Sequence, residues 1–187
     1  SLASPPVSQI VAEMLTHSDN ETAEAALKEI GVASSGNGSA AAGKAALTQL
    51  LTDAGVAVDG VGLVDGSGLS NQGRLTCRTL TELLTLPEAG PVLRDGLAVA
   101  GETGTLAERW RGTQVAGRLR AKTGSLRNVT ALAGEVEPLA GGRVTFAYVA
   151  NVPDPGPLDP GDVDMDRLGD ILITYGRGID LAALAPQ

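Results

Sequence analysis

The sequence predicts an α+β domain, and three observations carry that prediction. The first half of the 187-residue chain contains stretches whose apolar residues recur at helical spacing. From Val115 to Val152 the pattern switches to alternation, with Val144, Phe146 and Tyr148 separated by smaller or polar residues. After a Pro/Asp/Gly loop at Pro153–Asp162, a last amphipathic segment carries Met165, Leu168, Ile171 and Leu172. The expected layout is helices first, three antiparallel strands next and one helix closing over the sheet, without internal repeats.

Composition sets the limits. At 43% hydrophobic residues the chain can bury a core as one domain. Its aromatics are Trp110, Phe146, Tyr148 and Tyr175, so the core has to be built from Ala, Val, Leu and Ile. A net charge of −8 and the lack of base-stacking aromatics argue against nucleic acid as a partner. No apolar run approaches the roughly 18 residues a membrane span needs. One cysteine, Cys77, cannot form an internal disulfide, and one His with one Cys cannot assemble a zinc site of the usual spacing. The chain opens on Ser1 without a signal-peptide pattern, which reads as a processed or excised piece.

Ser4-Pro5-Pro6 predicts a helix start, a hydroxyl N-cap with Pro in the first turn. Val7, Ile10, Val11, Met14 and Leu15 then give an apolar stripe to about Thr16, stopped by the polar turn His17-Ser18-Asp19-Asn20. His17 beside Ser18 suits a helix end better than a Ser-His-Asp triad, because imidazole there meets the last carbonyls. A second helix is expected over Glu21–Ile30, closed by Gly31, and a third over Ser39–Ala54 with Gly55 at its end. Within the third, Gly38-Ser39-Ala40-Ala41-Ala42-Gly43-Lys44-Ala45 nearly matches the phosphate-loop pattern. Ala45 offers no hydroxyl to Mg²⁺ and no strand precedes it, so a nucleotide site is rejected.

Val56–Val58 reads as a brief strand, and Asp65-Gly66-Ser67-Gly68-Leu69-Ser70-Asn71 as a structured surface loop. Thr76 caps a helix that runs to about Leu86 and stops at Pro87, and Thr105–Trp110 adds one or two helical turns. Strands are expected over Val115–Lys122, Asn128–Val136 and Arg143–Val152, with a hairpin turn at Pro138–Gly142.

Charge singles out one stretch. Between Arg109 and Gly134 lie six basic side chains (Arg109, Arg111, Arg118, Arg120, Lys122, Arg127) and no acidic one, in a chain with 14 Lys plus Arg against 22 Asp plus Glu. Alternation puts Arg118, Arg120 and Lys122 on one face. Such a cluster suits either an anionic ligand or a solvated edge strand that uses charge against aggregation.

Two tripeptides matter together: Ser18-Asp19-Asn20 in an inter-helix turn, and Lys122-Thr123-Gly124 in a basic strand. They correspond to two of the three signatures of serine penicillin-binding proteins and β-lactamases. With Ser4-Pro5-Pro6, Asp65-Gly66-Ser67-Gly68-Leu69-Ser70, Ala100-Gly101, Gly104-Thr105-Leu106 and Ser125-Leu126 in order, nearly the whole chain resembles the low-molecular-mass class C penicillin-binding proteins, the D-Ala-D-Ala carboxypeptidase/endopeptidase family.

The resemblance implies a penicillin-binding/β-lactamase-like transpeptidase fold, a helical cluster plus an antiparallel sheet with a C-terminal helix packed on it. One departure stands out. The residues three before Lys28, Lys44 and Lys122 are Ala25, Ala41 and Leu119, so no S-x-x-K exists here. Residues 1–187 are therefore expected to be the C-terminal part of a single DD-peptidase catalytic domain. Its first strands and its nucleophilic serine would come from an N-terminal segment outside the chain, leaving an exposed apolar edge or face.

By family comparison, Ser18 would pass a proton to the leaving amine and Asn20 would bond the catalytic lysine and the substrate amide, with Asp19 fixing the turn. Lys122 would set the electrostatics of the cleft. Thr123 and Ser125, flanking Gly124, would take the terminal carboxylate, and the Ser125 N–H would serve as an oxyanion donor. The implied partners are a peptidoglycan stem peptide and β-lactams as covalent inhibitors, with no cofactor. The implied location is extracytoplasmic, in a bacterial periplasm or wall. The competing functions are a catalytically inactive wall- or penicillin-binding module and a β-lactamase.

Overall fold

The computed structural model of the chain describes residues 4–151 and 160–176, so most of the expected Pro153–Asp162 loop lies outside the described residues. Helix α1 spans Val7–His17. Its N-cap is Pro6, in an extended conformation with no side-chain cap, rather than Ser4; prolines in a row hold the chain extended until the first free N–H can join a turn. Helix α2 runs over Asn20–Ser35 and ends at the left-handed Gly36, passing straight through Gly31. Gly31 is a crossing residue, because a Cβ there would sit 2.6 Å from the Asn37 carbonyl oxygen and 2.8 Å from the Gly43 nitrogen.

Helix α3 (Ala40–Asp53) crosses α2 at this point, with Gly43 against the Leu27 backbone and the Ser39 hydroxyl accepting from the Ala42 N–H at 3.2 Å. The Gly-Ser-Gly-Lys string thus serves capping and close packing, and Lys44 donates to the Val64 carbonyl at 3.0 Å. Val56 is buried in an extended stretch that forms no strand; only an isolated bridge, Gly62 with Arg74, pairs nearby. Helix α4 (Cys77–Thr85) is capped by Thr76, as its sequence predicts. Helix α5 (Gly90–Gly96) was not expected, being one short helix between Pro87 and the sheet.

Four antiparallel strands lie in sequence order: β1 (Ala98–Val99), β2 (Leu119–Leu126), β3 (Val129–Val136) and β4 (Val144–Asn151). Strand β2 begins four residues later than the Val115 start expected. The Arg118 N–H turns back to the Val115 carbonyl at 3.0 Å, and Gly117 adopts φ +72°, so the alternating residues before Leu119 form a turn. In compensation the strand runs on through Lys122-Thr123-Gly124-Ser125 to Leu126. The helical turns expected at Thr105–Trp110 reduce to a 3-10 turn at Gly104–Leu106.

One sheet face presents Leu119, Ala121, Leu132, Val136 and Phe146 to Leu106, Trp110 and the closing helix α6 (Pro160–Thr174), with Met165, Leu172 and Ile173 buried. Fully burying each Leu, Val, Ile, Phe or Met side chain among these is worth about 1.5–3 kcal/mol. Gly169 lets α6 lie flush, since a Cβ there would meet the Trp110 indole at 2.6 Å. The opposite face carries Arg120, Lys122 and the buried Glu135, which receives Arg94 of α5 in an ion pair at 2.8 Å too bent for a hydrogen bond.

Candidate active site

The site begins where α1 stops. Ser18 is the C-cap of α1 in the left-handed region (φ 57°, ψ 49°), its N–H bonded back to the Met14 carbonyl. Asp19 is the N-cap of α2, its carboxylate accepting the Thr22 N–H at 3.0 Å, and this bond holds its carboxyl below the usual range. A left-handed residue followed at once by an N-cap makes a tight corner, and the corner fixes where the Ser18 side chain goes. Asn20 opens α2 on the exposed side of the same corner.

From the sheet, Lys122 reaches this corner. Its Nζ donates to Ser18 Oγ at 2.7 Å and to the Thr123 carbonyl at 2.7 Å, joining residues 104 positions apart. The amine is half-buried, and burial lowers its pKa from the ordinary lysine value. Because Ser18 Oγ accepts from the lysine, its own proton is free to point elsewhere. Thr123 Oγ1 donates to Thr105 Oγ1 at 2.9 Å on the 3-10 turn. Gly124 sits against β3, where a Cβ would stand 3.3 Å from the Ala131 Cβ, and Ser125 is exposed. Strand β1 pairs only with Arg120 and Ala121, so on that side β2 has an open edge from Lys122 onwards.

The rest of the basic run goes elsewhere. Arg109 pairs with Asp166 at 2.9 Å and stacks over Trp110, and Arg111 pairs with Glu108 at 2.9 Å. Arg118 precedes the strand, so Arg120 alone shares the Lys122 face. Arg118 and Arg120 line a separate cleft of about 250 Å³ with Arg94, Glu135, Glu137 and Arg143. Arg127 is exposed in the β2–β3 turn. His17 is also exposed, 3.4 Å from Glu13 one helical turn earlier. A groove of about 240 Å³ between α1 and the start of α2, lined by Ile10, Met14 and Thr22 among others, lies beside the Ser18 corner.

Two residues escaped the sequence reading. Thr105 meets Thr123 across 18 positions, with only its place in a Gly-Thr-Leu string as a signal. Glu24 accepts the Gly66 and Ser67 N–H groups at 3.0 Å and the Ser67 hydroxyl at 2.8 Å, fixing the Asp65–Asn71 loop to α2. The Ser67 hydroxyl bond is the main cause that lowers its pKa. Asp65 shapes the same loop by accepting the Gly68 and Ser70 N–H groups, both at 2.8 Å. Among the described residues no cluster of three or more His, Cys, Asp or Glu side chains gathers in metal-binding geometry, and no helix is long and apolar enough to cross a membrane.

Residues 1–168 match the D-Ala-D-Ala carboxypeptidase 3 (S13) family. Carboxypeptidase DacB of Mycolicibacterium smegmatis is 37% identical over 185 residues, covering 94% of this chain and 39% of the relative. The D-alanyl-D-alanine carboxypeptidase of Actinomadura sp. strain R39 is 36% identical over 176 residues, 89% of this chain and 32% of its own length. The chain therefore spans less than half of either relative. Penicillin binding protein 4 of Haemophilus influenzae superposes with a TM-score of 0.80 at 25% identity, over 91% of this chain and 40% of that one. The same protein has been solved with a bound β-lactam. The α+β fold, with its helical cluster, antiparallel sheet and closing helix, is thus that of penicillin binding protein 4. By sequence match and by fold, the chain belongs to the D-Ala-D-Ala carboxypeptidase 3 (S13) family.

Proposed function

We propose that this chain is the C-terminal part of the catalytic domain of a serine-type DD-peptidase, which hydrolyses D-Ala-D-Ala or cross-link peptide bonds of peptidoglycan through an acyl-enzyme. The observation that carries the reading is the 2.7 Å bond from Lys122 Nζ to Ser18 Oγ. It brings a polar inter-helix corner and a basic strand to one cleft, as a Ser-Lys hydrolase without a usable His requires. The nucleophilic serine and its lysine belong to an S-x-x-K segment that this chain does not contain. The exposed Val7 and Ile10 on α1 and the outer edge of β4 are surfaces such a segment would cover.

In this reading the nucleophile's oxygen bonds to the scissile carbonyl carbon and its proton passes to the S-x-x-K lysine. Ser18 then delivers its proton to the departing amine nitrogen as the C–N bond breaks and takes back the proton held by the S-x-x-K lysine, after which water cleaves the acyl ester and returns the nucleophile's proton. Lys122 holds Ser18 by donating to its oxygen, which leaves the serine proton for the leaving group. Its positive charge also disfavours a second ammonium nearby, which keeps the catalytic lysine neutral. Asn20 bonds that lysine and the substrate amide. The Ser125 N–H, on the open edge of β2, and the nucleophile's own N–H receive the oxyanion. Thr123 and Ser125 face the substrate carboxylate, with Gly124 between them leaving room for the peptide.

The substrate places the enzyme outside the cytoplasmic membrane, and β-lactams acylate the same serine. The test is incubation of the complete protein, S-x-x-K segment included, with a fluorescent penicillin, followed by denaturing electrophoresis. A covalent label that survives denaturation is expected. A label absent from a protein that does contain S-x-x-K would refute the reading, and a complete protein without S-x-x-K would leave the inactive-module reading in its place.

A further inference from the structure

We infer that Thr105 is part of the carboxylate-binding surface: it accepts the proton of Thr123 and offers its own to the free carboxylate on the residue that supplies the leaving amine. This rests on the DD-peptidase reading and names the substrate feature that the site selects. Thr123 Oγ1 is the donor in its 2.9 Å bond to Thr105 Oγ1, so in this arrangement Thr123 has no proton left for a ligand. Each hydroxyl has one proton, and the unspent one belongs to Thr105. Among the described residues Thr105 Oγ1 donates no hydrogen bond, and the side chain is exposed.

The turn that carries Thr105 is pinned on several sides. Gly104, at φ +55°, lies against the Thr16 backbone, where no Cβ would fit. Thr16 in turn donates to the Gly96 carbonyl at 2.8 Å. The Gly101 N–H bonds to the Leu106 carbonyl at 2.9 Å, the Val99 N–H bonds to Thr103 Oγ1 at 2.9 Å, and Leu106 is fully buried. A hydroxyl held on so fixed a turn is preorganised, so a ligand gains its bond without ordering a loop. Lys122 Nζ, bonded to Ser18 Oγ and to the Thr123 carbonyl, is a cation at the backbone of the residue whose hydroxyl meets Thr105. A carboxylate suits such a place: it needs a nearby positive charge and a hydroxyl donor, and it accepts without donating.

The test uses the complete protein and two variants, Thr105→Val, which removes the hydroxyl at constant shape, and Thr105→Ser, which keeps it. Each is assayed on a peptide ending in D-Ala-D-Ala and on the same peptide with a C-terminal amide. Thr105→Val is expected to lower kcat/KM for the free acid by about 10- to 100-fold, the range for a hydrogen bond to a charged group. Thr105→Ser should return it to within about threefold, and the amide peptide should lose no more than about threefold in either variant. An amide too slow to measure in the wild type leaves the serine rescue as the deciding arm. A Thr105→Val enzyme within about twofold of wild type on the free acid would overturn the inference, as would equal losses on both peptides or failure of serine to rescue. If the wild type neither cleaves the peptide nor takes up penicillin, the DD-peptidase reading itself is wrong and this inference falls with it.

Discussion

Removing the Lys122 amine tests the join between corner and strand most directly. The bond to Ser18 is charge-assisted and 2.7 Å long, in a half-buried position where water competes only in part. A hydrogen bond of this kind is worth about 1.5–3 kcal/mol, which at about 1.4 kcal/mol per decade is roughly 10- to 150-fold in rate. Lys122→Ala in the complete protein should therefore slow acylation by benzylpenicillin by at least that factor, since the charge is lost as well. Ser18→Ala should slow it too, through loss of the proposed proton donor. If the lysine acts by holding the serine, the two losses cannot add. The double variant should fall short of the product of the single effects by the same 10- to 150-fold, a coupling of about 1.5–3 kcal/mol. The assay is the second-order rate of penicillin labelling in all four proteins, with melting temperatures checking that each is folded. Multiplicative effects, with coupling below about 0.5 kcal/mol, would refute the claim that the bond works as a unit.

Two further substitutions probe the supports of the cleft. Glu24→Gln keeps the size but weakens three bonds to the Asp65–Asn71 loop, and should lower stability at neutral pH by about 1–2 kcal/mol. Because the Glu24 pKa is lowered on folding, its contribution is present above the unfolded value near about 4.3 and is lost as pH falls through the lower native value. Melting curves of the wild type and Glu24→Gln should accordingly converge in acid and separate above about pH 5. Gly104→Ala places a methyl group into the Thr16 backbone at a positive φ, and should cost about 1–3 kcal/mol with a shift of the Thr105 turn. Denaturant unfolding and penicillin labelling of that variant would report the two effects separately.

The parts of this architecture that local chemistry dictates were legible in the sequence. The Ser18 corner could be read because four polar residues interrupt two helical stretches, and the Thr76 cap because a hydroxyl stands just before its helix. Lys122 was legible as a strand residue through alternation. What stayed hidden depends on which residues meet. Gly31 looks the same in sequence whether it ends a helix or lets two helices cross, and only the approach of Gly43 decides between these. The run from Val115 to Arg118 alternates like a strand, yet Gly117 and a turn bond keep it out of the sheet. Strand β1, two residues long, exists only through its pairing with Arg120 and Ala121. The basic cluster misled for the same reason: charge counted along the chain says nothing of the partners that fold beside it. Asp166 and Glu108 absorb Arg109 and Arg111, leaving Lys122 as the cation bonded to the corner.

The left-handed backbone at Ser18 sets this position at odds with its own stability. A serine there costs on the order of 1 kcal/mol that glycine would not, so selection for robustness alone would favour an achiral residue at that corner. The hydroxyl can be kept only by tolerating the strain, and Trp110 is the other non-glycine residue in the described chain that bears it. A variant library screened for heat resistance should therefore enrich glycine at position 18 while draining the population of activity, a conflict set by one pair of torsion angles.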